Sequence, residues 1–289
     1  MNNRPNLFLI GASKCASTFL HHVLEQHFDI CMSKEKEPCF FNRDDYSKDY
    51  EWYYSLFEHR SNEKIIGESS PIYSETTYFP DIPRRIYDFN PGAKIIYIAR
   101  EPFSRLKSVY MQTMSSGHWY EKKFHNQIMS KNFNESVLEY PPFLEATRYW
   151  THIQNYRKFF KDTQIKVILF EDLTQNYEKT IKEVLKFLEV EYNHVPNKDN
   201  SRQNKSKGKK VYNPLVAKLS RFTPSFVKKL VSRDIVDYII QKSRKAIKPE
   251  PLTQKNIKSI EATLESEVKC LYNYLGIHDD PWKFFKNSK

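Results

Sequence analysis

A lysine and two hydroxyl residues near the start of the chain have a spacing that suits phosphate chemistry. Lys14, Ser17 and Thr18 lie in a run of small residues between an apolar segment and one with helical periodicity. Backbone N–H groups at a helix N-terminus lack intrahelical acceptors and carry the positive end of the helix dipole, so they attract anions. The lysine adds a full charge and the hydroxyls add short donors. This segment therefore predicts a phosphate site.

The order of residues in this loop differs from that of a nucleotide kinase. A Walker A loop, GxxxxGK[ST], places its lysine directly before the hydroxyl residue that binds Mg²⁺. Here Lys14 precedes Ser17 by three residues, and no second loop glycine follows Gly11. Two alternatives stay open: a P-loop-like nucleotide kinase, and an ordinary capped helix that follows a strand.

A second set of anion-binding side chains follows another apolar run. The pattern RxPxxRxxSxY begins at Arg100 and places Ser108 eight residues later. An arginine at the carboxyl end of a strand can bind two phosphate oxygens with its fork of N–H donors, and Pro102 is a good first residue for the next helix. We expect Ser108 to face the same side as Arg100. Arg105 either lies near the same phosphate or is a solvated residue of this helix, and we favour the second alternative.

Four short β-branched or aromatic runs predict the scaffold. Each is followed by polar or turn residues and then by helical periodicity, which is typical of a parallel sheet. The predicted strands are Leu7–Ile10, Lys64–Glu68, Lys94–Arg100 and Ile165–Phe170. We predict an α/β, P-loop-like three-layer fold with a central parallel sheet flanked by helices, forming a single domain over residues 1–289. Both candidate phosphate sites then lie at the carboxyl edge of the sheet.

Three segments have apolar residues at helical spacing. The first follows Ser17 and has Phe28 at the end of its apolar face, and the second follows Thr174. The third lies between Thr253, which suits an N-cap, and Gly276, which suits the residue after a helix end. We expect this last helix to pack on the core.

The positive charge of the chain is concentrated in one block. The 289 residues include 46 Lys+Arg and 35 Asp+Glu, for a net charge of +11. Residues 198–250 hold 15 basic and 4 acidic side chains, which equals the whole excess. Such a block attracts a polyanion, although a solvated and partly mobile face is an equally good account. Its first part, Lys198–Lys210, predicts an exposed loop because it has no aromatic or aliphatic residue.

Composition excludes several protein classes. Aromatic residues make up 15% of the chain and only 6 residues are glycine, which excludes collagen-like and disordered chains. No apolar run approaches the roughly 18 residues that span a bilayer, and the run before Gly11 is too short for a signal peptide, so we predict a cytoplasmic protein without a transmembrane segment. The cysteines show no CxxC pair, which favours reduced thiols: Cys15, Cys31, Cys39 and Cys270.

Together the two phosphate motifs resemble those of the sulfotransferases that use 3′-phosphoadenosine 5′-phosphosulfate (PAPS). KCAST at Lys14–Thr18 is similar to the family's KxGTT signature for the 5′-phosphosulfate, with Ala16 where the family usually has glycine. Arg100 and Ser108 match its 3′-phosphate motif. The resemblance implies PAPS as cosubstrate, adenosine 3′,5′-bisphosphate as product and no required metal. The cofactor-binding residues it implies here are Lys14, Cys15, Ala16, Ser17, Thr18, Arg100 and Ser108.

Two features of the C-terminal half extend the resemblance over essentially the whole chain. Ser206, Lys207, Gly208 and Lys209 resemble the SKGRK-type loop that closes over the nucleotide in Golgi heparan-sulfate members, although this chain lacks the cysteines that form a disulfide before that loop. Bacterial members continue with a basic helical region and a final helix containing Leu and Trp, here Trp282. The four loop residues are therefore further candidates for cofactor binding.

The resemblance also implies a catalytic base. Glu37 in SKEKEPCFFN is similar to the glutamate of the family's KEPHFF segment, which removes the acceptor proton. We expect Phe40 and Phe41 to desolvate this carboxylate partly, which would make it a better proton acceptor. His21 and His22 are rival bases, because cytosolic sulfotransferases use histidine, but we expect them to make structural hydrogen bonds.

A second strand-end segment departs from the family pattern. Glu68-Ser69-Ser70-Pro71-x-Tyr73 resembles the E-K-T-P-x-Y segment, in which heparan-sulfate members carry a catalytic lysine. Ser69 stands at that position here. Lys14 is then left to bear the charge of the leaving group alone, so Glu37 and Lys14 are the predicted catalytic residues.

The predicted activity is transfer of a sulfuryl group from PAPS to a hydroxyl or amine, with a carbohydrate or other glycan-like acceptor. An anionic glycan accounts for the basic residues beyond those that one nucleotide needs. The alternatives are a P-loop-like nucleotide kinase and a protein that binds nucleic acid through residues 198–250, whose interleaved aromatic residues would stack on bases. We regard nucleic acid as the less favoured partner.

Overall fold

A computed structural model describes residues 4–116, 132–192, 210–211, 245–246 and 249–285 of the chain. These residues belong to two compact units. The first comprises residues 1–105, 145–203 and 259–289, and the second comprises residues 106–144 and 204–258. A single domain over residues 1–289 stays a prediction.

The first unit contains a parallel sheet of five strands in the order β2-β3-β1-β4-β5. The strands are β1 Leu7–Gly11, β2 Ile30–Met32, β3 Ile65–Ser69, β4 Lys94–Ala99 and β5 Ile165–Leu169. Nearly every residue of the three central strands is buried, as expected when helices cover both faces of a parallel sheet. The four predicted strands are confirmed to within one residue at each end, whereas β2 was missed because three residues are too few to show a periodicity.

Ten α-helices occur among the described residues, numbered here in chain order. They are α1 Ser17–Leu24, α2 Tyr50–Ser55, α3 Ile82–Phe89, α4 Pro102–Ser116, α5 Phe133–Glu139, α6 Pro141–Glu145, α7 Tyr149–Arg157, α8 Phe170–Gln175, α9 Tyr177–Leu188 and α10 Gln254–Leu275. Helices flank the parallel sheet, which confirms the predicted α/β three-layer fold. None of these ten combines the length and the apolar composition that a bilayer-spanning helix needs.

Helix α1 is shorter than its sequence pattern suggests. Leu20, Val23 and Leu24 are fully buried, but the helix ends at Leu24. Phe28 therefore lies beyond it, is 64% exposed and stacks on His27 at 4.8 Å between ring centroids. The prediction that Phe28 belongs to the apolar face was wrong, because the helix stops one turn before that position.

Both predicted ends of α10 are confirmed. The Thr253 hydroxyl accepts a hydrogen bond from the Asn256 backbone N–H at 3.2 Å, as an N-cap does. Gly276 has a φ of +66° and the Ile277 N–H donates to the Tyr272 carbonyl at 2.9 Å, which is a left-handed helix stop. The apolar face is buried at Ile260, Leu264, Val268 and Leu271.

The second unit contains a two-stranded antiparallel sheet, β6 Lys210–Val211 and β7 Lys245–Ala246. Asn134 in α5 ties this unit together: its side chain donates to the Pro251 carbonyl at 3.0 Å and accepts from the Thr253 N–H at 2.8 Å. The predicted loop over Lys198–Lys210 lies outside the described residues up to its last position, and so does most of the basic block.

Candidate active site

Three chain segments with predicted functional residues meet at the carboxyl edge of the sheet. β1 is the middle strand and leads into the loop with Lys14. Its two neighbours are β3, which ends at Ser69, and β4, which is followed by Arg100. The expectation that both phosphate motifs lie on one edge is confirmed for Lys14 and Arg100, since the Arg100 guanidinium donates from Nη1 to the Lys14 carbonyl at 3.1 Å.

The loop between β1 and α1 turns sharply at its first residue. Gly11 has a φ of +148°, and a Cβ at this position would collide with the Ser74 hydroxyl. Only glycine fits there. The next residue anchors the loop, because the Ala12 N–H donates to the Ile98 carbonyl of β4 at 2.8 Å.

Two further loop residues adopt the left-handed conformation without being glycine. Lys14 has a φ of 68° and Ala16 a φ of 73°. Ala16 is the N-cap residue of α1, and its carbonyl accepts the first helical hydrogen bond from Leu20 N–H at 3.0 Å. The N–H groups of Ser17 and Thr18 have no acceptor within the described residues, as expected for the first turn of a helix. They are donors for an anion.

Two arginines fix this loop by hydrogen bonds to the carbonyl groups of two consecutive residues. Arg105 donates from Nε to the Ser13 carbonyl at 3.1 Å and from Nη1 to the Thr147 hydroxyl at 2.7 Å, while Arg100 binds the Lys14 carbonyl. Arg105 is only 1% exposed. The prediction of a solvated Arg105 was wrong, because its helix face is turned toward the loop rather than toward water.

The Arg100 guanidinium has hydrogen-bonding capacity that the described residues do not use. It lies 4.3 Å from the centre of the Phe170 ring, and its Nε is buried without a hydrogen-bond partner in the described part of the chain. A buried N–H without an acceptor costs about 1–3 kcal/mol, so such groups normally have a ligand, an ion or water as partner. The donor set fits a phosphate group, whose oxygens accept parallel N–H bonds from an arginine.

The remaining predicted cofactor residues have varied positions. Ser108 lies in α4 and is 6% exposed, within the second unit. Ser206, Lys207, Gly208 and Lys209 lie outside the described residues.

Cys15 contributes a buried thiol that donates to the Ser13 carbonyl at 3.6 Å, and burial raises its pKa to about 11. The thiol is therefore protonated at neutral pH, and all four cysteines are free, as predicted.

Glu37 lies against the end of β3. Its backbone N–H donates to the Ser69 carbonyl at 3.0 Å, and its φ of +62° is left-handed. The carboxylate is paired with the Lys36 ammonium, and its side chain is 51% exposed. Phe40 and Phe41 are fully buried and turn toward other aromatic rings. The predicted desolvation of Glu37 by these rings was therefore wrong.

The histidines near this edge form structural hydrogen bonds, as predicted. His21 is 2% exposed, and its Nδ1 lies 3.0 Å from the Ser69 hydroxyl. Burial, with smaller contributions from His22 and Lys36, lowers the pKa of His21 to about 3. The exposed His22 pairs with Glu25 at 3.2 Å. A buried neutral imidazole that already has a partner is a poor candidate for the base.

Sequence reasoning missed two buried groups at this edge. One is the Arg105 contact with the loop, for which the RxPxxR spacing was a usable signal. The other is Glu68 in β3, whose side chain is completely buried and accepts three hydrogen bonds from hydroxyl groups. Glu68, Ser70 and Tyr73 stand together in the E-x-x-P-x-Y segment of the sequence, but their spacing does not predict that the hydroxyls bind the carboxylate.

Known proteins are similar to this chain in sequence and in fold. A family model described as "Sulfotransferase domain" matches residues 4–246. The mouse heparan sulfate glucosamine 3-O-sulfotransferase 5 is 26% identical over 189 residues, covering 64% of this chain and 54% of the relative. The membrane-associated sulfotransferase kil1 of Dictyostelium discoideum is 35% identical over 109 residues, covering 37% of this chain and 22% of that protein. The chain thus spans about half the length of the first of these relatives and less of the second.

A solved structure is similar to this chain over most of its length. The crystal structure of a sulfotransferase from Alicyclobacillus acidocaldarius superimposes with a TM-score of 0.58 at 25% identity, covering 82% of this chain and 96% of that one. The chain therefore belongs to the sulfotransferase family.

Proposed function

We propose that this sulfotransferase uses PAPS as donor and sulfates a hydroxyl or amine group of an anionic glycan. One observation carries the proposal for the donor: the buried Arg100 Nε has no partner among the described residues, while the same guanidinium is fixed by its bond to the Lys14 carbonyl. A preformed guanidinium next to an open helix N-terminus supports binding of a ligand with two separate phosphate groups.

Different residues of the first unit would bind the two phosphate groups of such a ligand. The N–H groups and hydroxyls of Ser17 and Thr18, with Cys15, Ala16 and the Lys14 charge, would hold the 5′-phosphosulfate. Arg100 would hold the 3′-phosphate. The family motif assigns Ser108 and the loop from Ser206 to Lys209 to the same nucleotide. PAPS, when bound, supplies the activated sulfuryl group and leaves as adenosine 3′,5′-bisphosphate.

Lys14 has the role of stabilising the charge that develops on the leaving phosphate. Electrostatic stabilisation by a preorganised cation is commonly the largest contribution to transfer reactions of this type. Ser69 replaces the lysine that heparan-sulfate members carry at the end of β3. Lys14 is fixed from its own backbone, because its carbonyl is bound by Arg100 and its left-handed φ is set by the loop.

Glu37 has the role of general base for the acceptor. Its exposed carboxylate is accessible to a substrate, and the bond from its N–H to the Ser69 carbonyl keeps it at the same sheet edge as Lys14. The Lys36 ammonium beside it forms an ion pair with this carboxylate. General base catalysis at a positioned carboxylate contributes about 10²–10⁴-fold to the rate.

The proposed acceptor class rests on two observations. The mouse relative is named for glucosamine in heparan sulfate, an anionic polysaccharide. This chain also carries 15 basic and 4 acidic residues between positions 198 and 250. One nucleotide neutralises only a part of that charge, and a polyanionic acceptor suits the rest.

Mass spectrometry of heparan sulfate fragments incubated with protein and PAPS tests this function. The wild-type protein is expected to add sulfuryl groups to the fragments. Glu37→Gln should lower kcat by about 10²–10⁴-fold and leave the affinity for adenosine 3′,5′-bisphosphate unchanged. Glu35→Gln is the matched control, because Glu35 is an exposed carboxylate two residues away, and it should keep wild-type turnover. Equal turnover of the two variants would contradict the role of Glu37.

A further inference from the structure

Glu68 is a carboxylate with an unusual environment for a strand residue. It lies in β3 with no exposed surface. Its Oε1 accepts from the Tyr53 hydroxyl at 2.8 Å and from the Tyr73 hydroxyl at 3.0 Å, and its Oε2 accepts from the Ser70 hydroxyl at 2.6 Å. Three donors thus face two oxygens, which suits the ionised form of the carboxyl group.

Two of these hydroxyls are also acceptors for the backbone of the segment that carries Glu37. The Ser70 hydroxyl accepts from the Cys39 N–H at 3.1 Å, and the Tyr73 hydroxyl accepts from the Phe41 N–H at 3.1 Å. A hydroxyl has a single proton, so its direction is settled by the strongest acceptor within reach. Because Glu68 takes the protons of both hydroxyls, their lone pairs are left for the two backbone N–H groups.

The segment held in this way has a conformation that needs support. Glu37 and Cys39 both have left-handed φ values, 62° and 52°, although neither is glycine. Such residues cost about 1–3 kcal/mol each and persist only where surrounding contacts fix them. The Glu37 side chain is half exposed and is not fixed by packing. Its position is therefore determined by the backbone bonds at Glu37, Cys39 and Phe41.

We propose that Glu68 is a positioning residue: it orients the Ser70 and Tyr73 hydroxyls, which bind the Cys39 and Phe41 N–H groups and so hold the carboxylate of Glu37 at the sheet edge. The inference rests on the proposed role of Glu37 as base. It assigns to Glu68 no contact with donor or acceptor. Burial raises the pKa of Glu68 to about 7, while hydrogen bonds from Ser70, Tyr53 and Tyr73 oppose that rise.

Two tyrosine variants separate positioning from general support of the core. Tyr53→Phe and Tyr73→Phe each remove one hydroxyl that donates to the same Glu68 oxygen, and each keeps the ring. Only Tyr73 also binds the Glu37 segment, through Phe41. Tyr53 instead stacks on Phe40 with ring centroids 4.1 Å apart, a contact that phenylalanine retains. The two variants are therefore matched in the bond lost at Glu68.

Glu68→Gln changes the direction of a hydroxyl without changing the volume of the side chain. The amide NH₂ is a donor and cannot accept from Ser70. Ser70 must then redirect its proton, and the bond from the Cys39 N–H weakens. Where this variant fails to fold, the pair of tyrosine variants still tests the inference at the Tyr73 hydroxyl: both lose a bond to the same Glu68 oxygen, and only Tyr73→Phe also loses the bond to the Phe41 N–H.

Three measurements on each full-length variant are needed: hydrogen exchange of the Cys39 and Phe41 amides, affinity for adenosine 3′,5′-bisphosphate, and kcat with PAPS and heparan sulfate. We expect Tyr73→Phe to exchange the Phe41 amide at least tenfold faster and to lower kcat at least tenfold. Its KM for PAPS and its bisphosphate affinity should stay within twofold of wild type. Tyr53→Phe should change the exchange rate and kcat by less than threefold.

Equal effects of the two tyrosine variants on Phe41 exchange would overturn the inference, and so would a Tyr73→Phe protein with faster exchange but wild-type kcat. Failure of the proposed function has a different signature. In that case the wild-type protein neither binds the bisphosphate nor sulfates the polysaccharide, while the exchange measurement still reports whether Glu68 anchors the segment.

Discussion

The backbone conformation of single residues decides the shape of the loop between β1 and α1. Ala16 has a left-handed φ, and its carbonyl starts α1. The left-handed region costs an L-residue about 1–2 kcal/mol relative to the right-handed one. Alanine therefore keeps the loop geometry of a glycine at this position, but with stored strain. The neighbouring Lys14 shares this conformation, and its carbonyl is bound by Arg100.

Replacing Ala16 by glycine is expected to stabilise the protein. Removal of the left-handed strain raises the free energy of unfolding by about 1–2 kcal/mol. The greater flexibility of glycine in the unfolded chain lowers it by about 0.4–1 kcal/mol. We expect a net gain of about 0.5–1 kcal/mol in the free energy of unfolding, measured by urea denaturation. Ala262→Gly is the control, because Ala262 is an exposed residue in the middle of α10, and it should lose about 1 kcal/mol. A loss of stability at both positions would contradict the strain at Ala16.

His21 links stability to pH through its burial. Its pKa is lowered to about 3 in the folded protein, chiefly by burial, and is about 6.5 in an unfolded chain. Below pH 6.5 the unfolded chain binds the proton first, so the stability contributed by the neutral imidazole is full above this pH and is lost as the pH falls toward 3. From pH 7 to pH 5 the loss is about 2 kcal/mol.

His21→Asn tests this linkage. The asparagine side chain can reach the Ser69 hydroxyl from the position of the ring Nδ1 and does not titrate. The variant is less stable than wild type at pH 7, but its deficit should shrink by about 2 kcal/mol at pH 5, as measured by urea unfolding at both pH values. A deficit that is the same at the two pH values would show that His21 titrates normally in the folded protein.

At the level of single residues, the sequence predicted which residues lie at the sheet edge better than it predicted how buried their side chains are. The spacing of residues in the Lys14 and Arg100 motifs was enough to predict that both residues lie at the same edge of the sheet. The exposure of Glu37 was not predictable, because it depends on which neighbouring segment covers the side chain. Helical spacing gives a residue's face, but not what that face meets.

Elements far apart in sequence support the junction between β4 and α4. Trp282 lies in a turn after α10 and donates from its ring Nε1 to the Glu171 carboxylate at 2.7 Å. The other oxygen of Glu171 accepts from the Glu101 N–H at 3.2 Å, directly after Arg100. The Trp282 ring also contacts Tyr149, whose hydroxyl donates to the Arg100 carbonyl at 2.8 Å. The C-terminal segment therefore helps to orient Arg100.

Trp282→Phe should weaken this support while keeping an aromatic ring in place. The Glu171 carboxylate loses one of its two donors, which we expect to cost about 1–3 kcal/mol of stability and to lower the affinity for adenosine 3′,5′-bisphosphate several-fold. Both quantities are measurable by urea denaturation and calorimetric titration. Trp150→Phe is the matched control, since the Trp150 Nε1 makes no hydrogen bond within the described ranges. An equal loss of affinity in the two variants would argue against the link through Glu171.

Elements were predictable where their pattern is long or their ends carry a chemical signal. The Thr253 cap and the Gly276 stop of α10 are such signals, and both ends are confirmed. The expected final helix around Trp282 was wrong, because Gly276 ends α10 and a turn follows. Strand β2 has three residues and no turn signature, and the order of the five strands depends on long-range pairing that no local pattern contains.

For the whole molecule, a nearly neutral α/β body carries one strongly basic block. The net charge of +11 equals the excess within residues 198–250. The body supplies the fold of the sulfotransferase family, with the loop between β1 and α1 at the carboxyl edge of the sheet. In the proposed function the block adds attraction for a nucleotide with several negative charges and for an anionic acceptor. The acceptor itself could not be predicted, because members of one fold act on different substrates.

The central claim is that the Arg100 edge binds the nucleotide of PAPS, and calorimetric titration of adenosine 3′,5′-bisphosphate tests it without knowledge of the acceptor. Wild type should bind, and Arg100→Ala should bind at least about tenfold more weakly, because charge-assisted hydrogen bonds to a phosphate contribute about 1.5–3 kcal/mol. Arg84→Ala, which removes an exposed arginine paired with Asp88 in α3, should bind like wild type. Absence of binding by wild type at millimolar bisphosphate, or equal affinity of wild type and Arg100→Ala, would contradict the account.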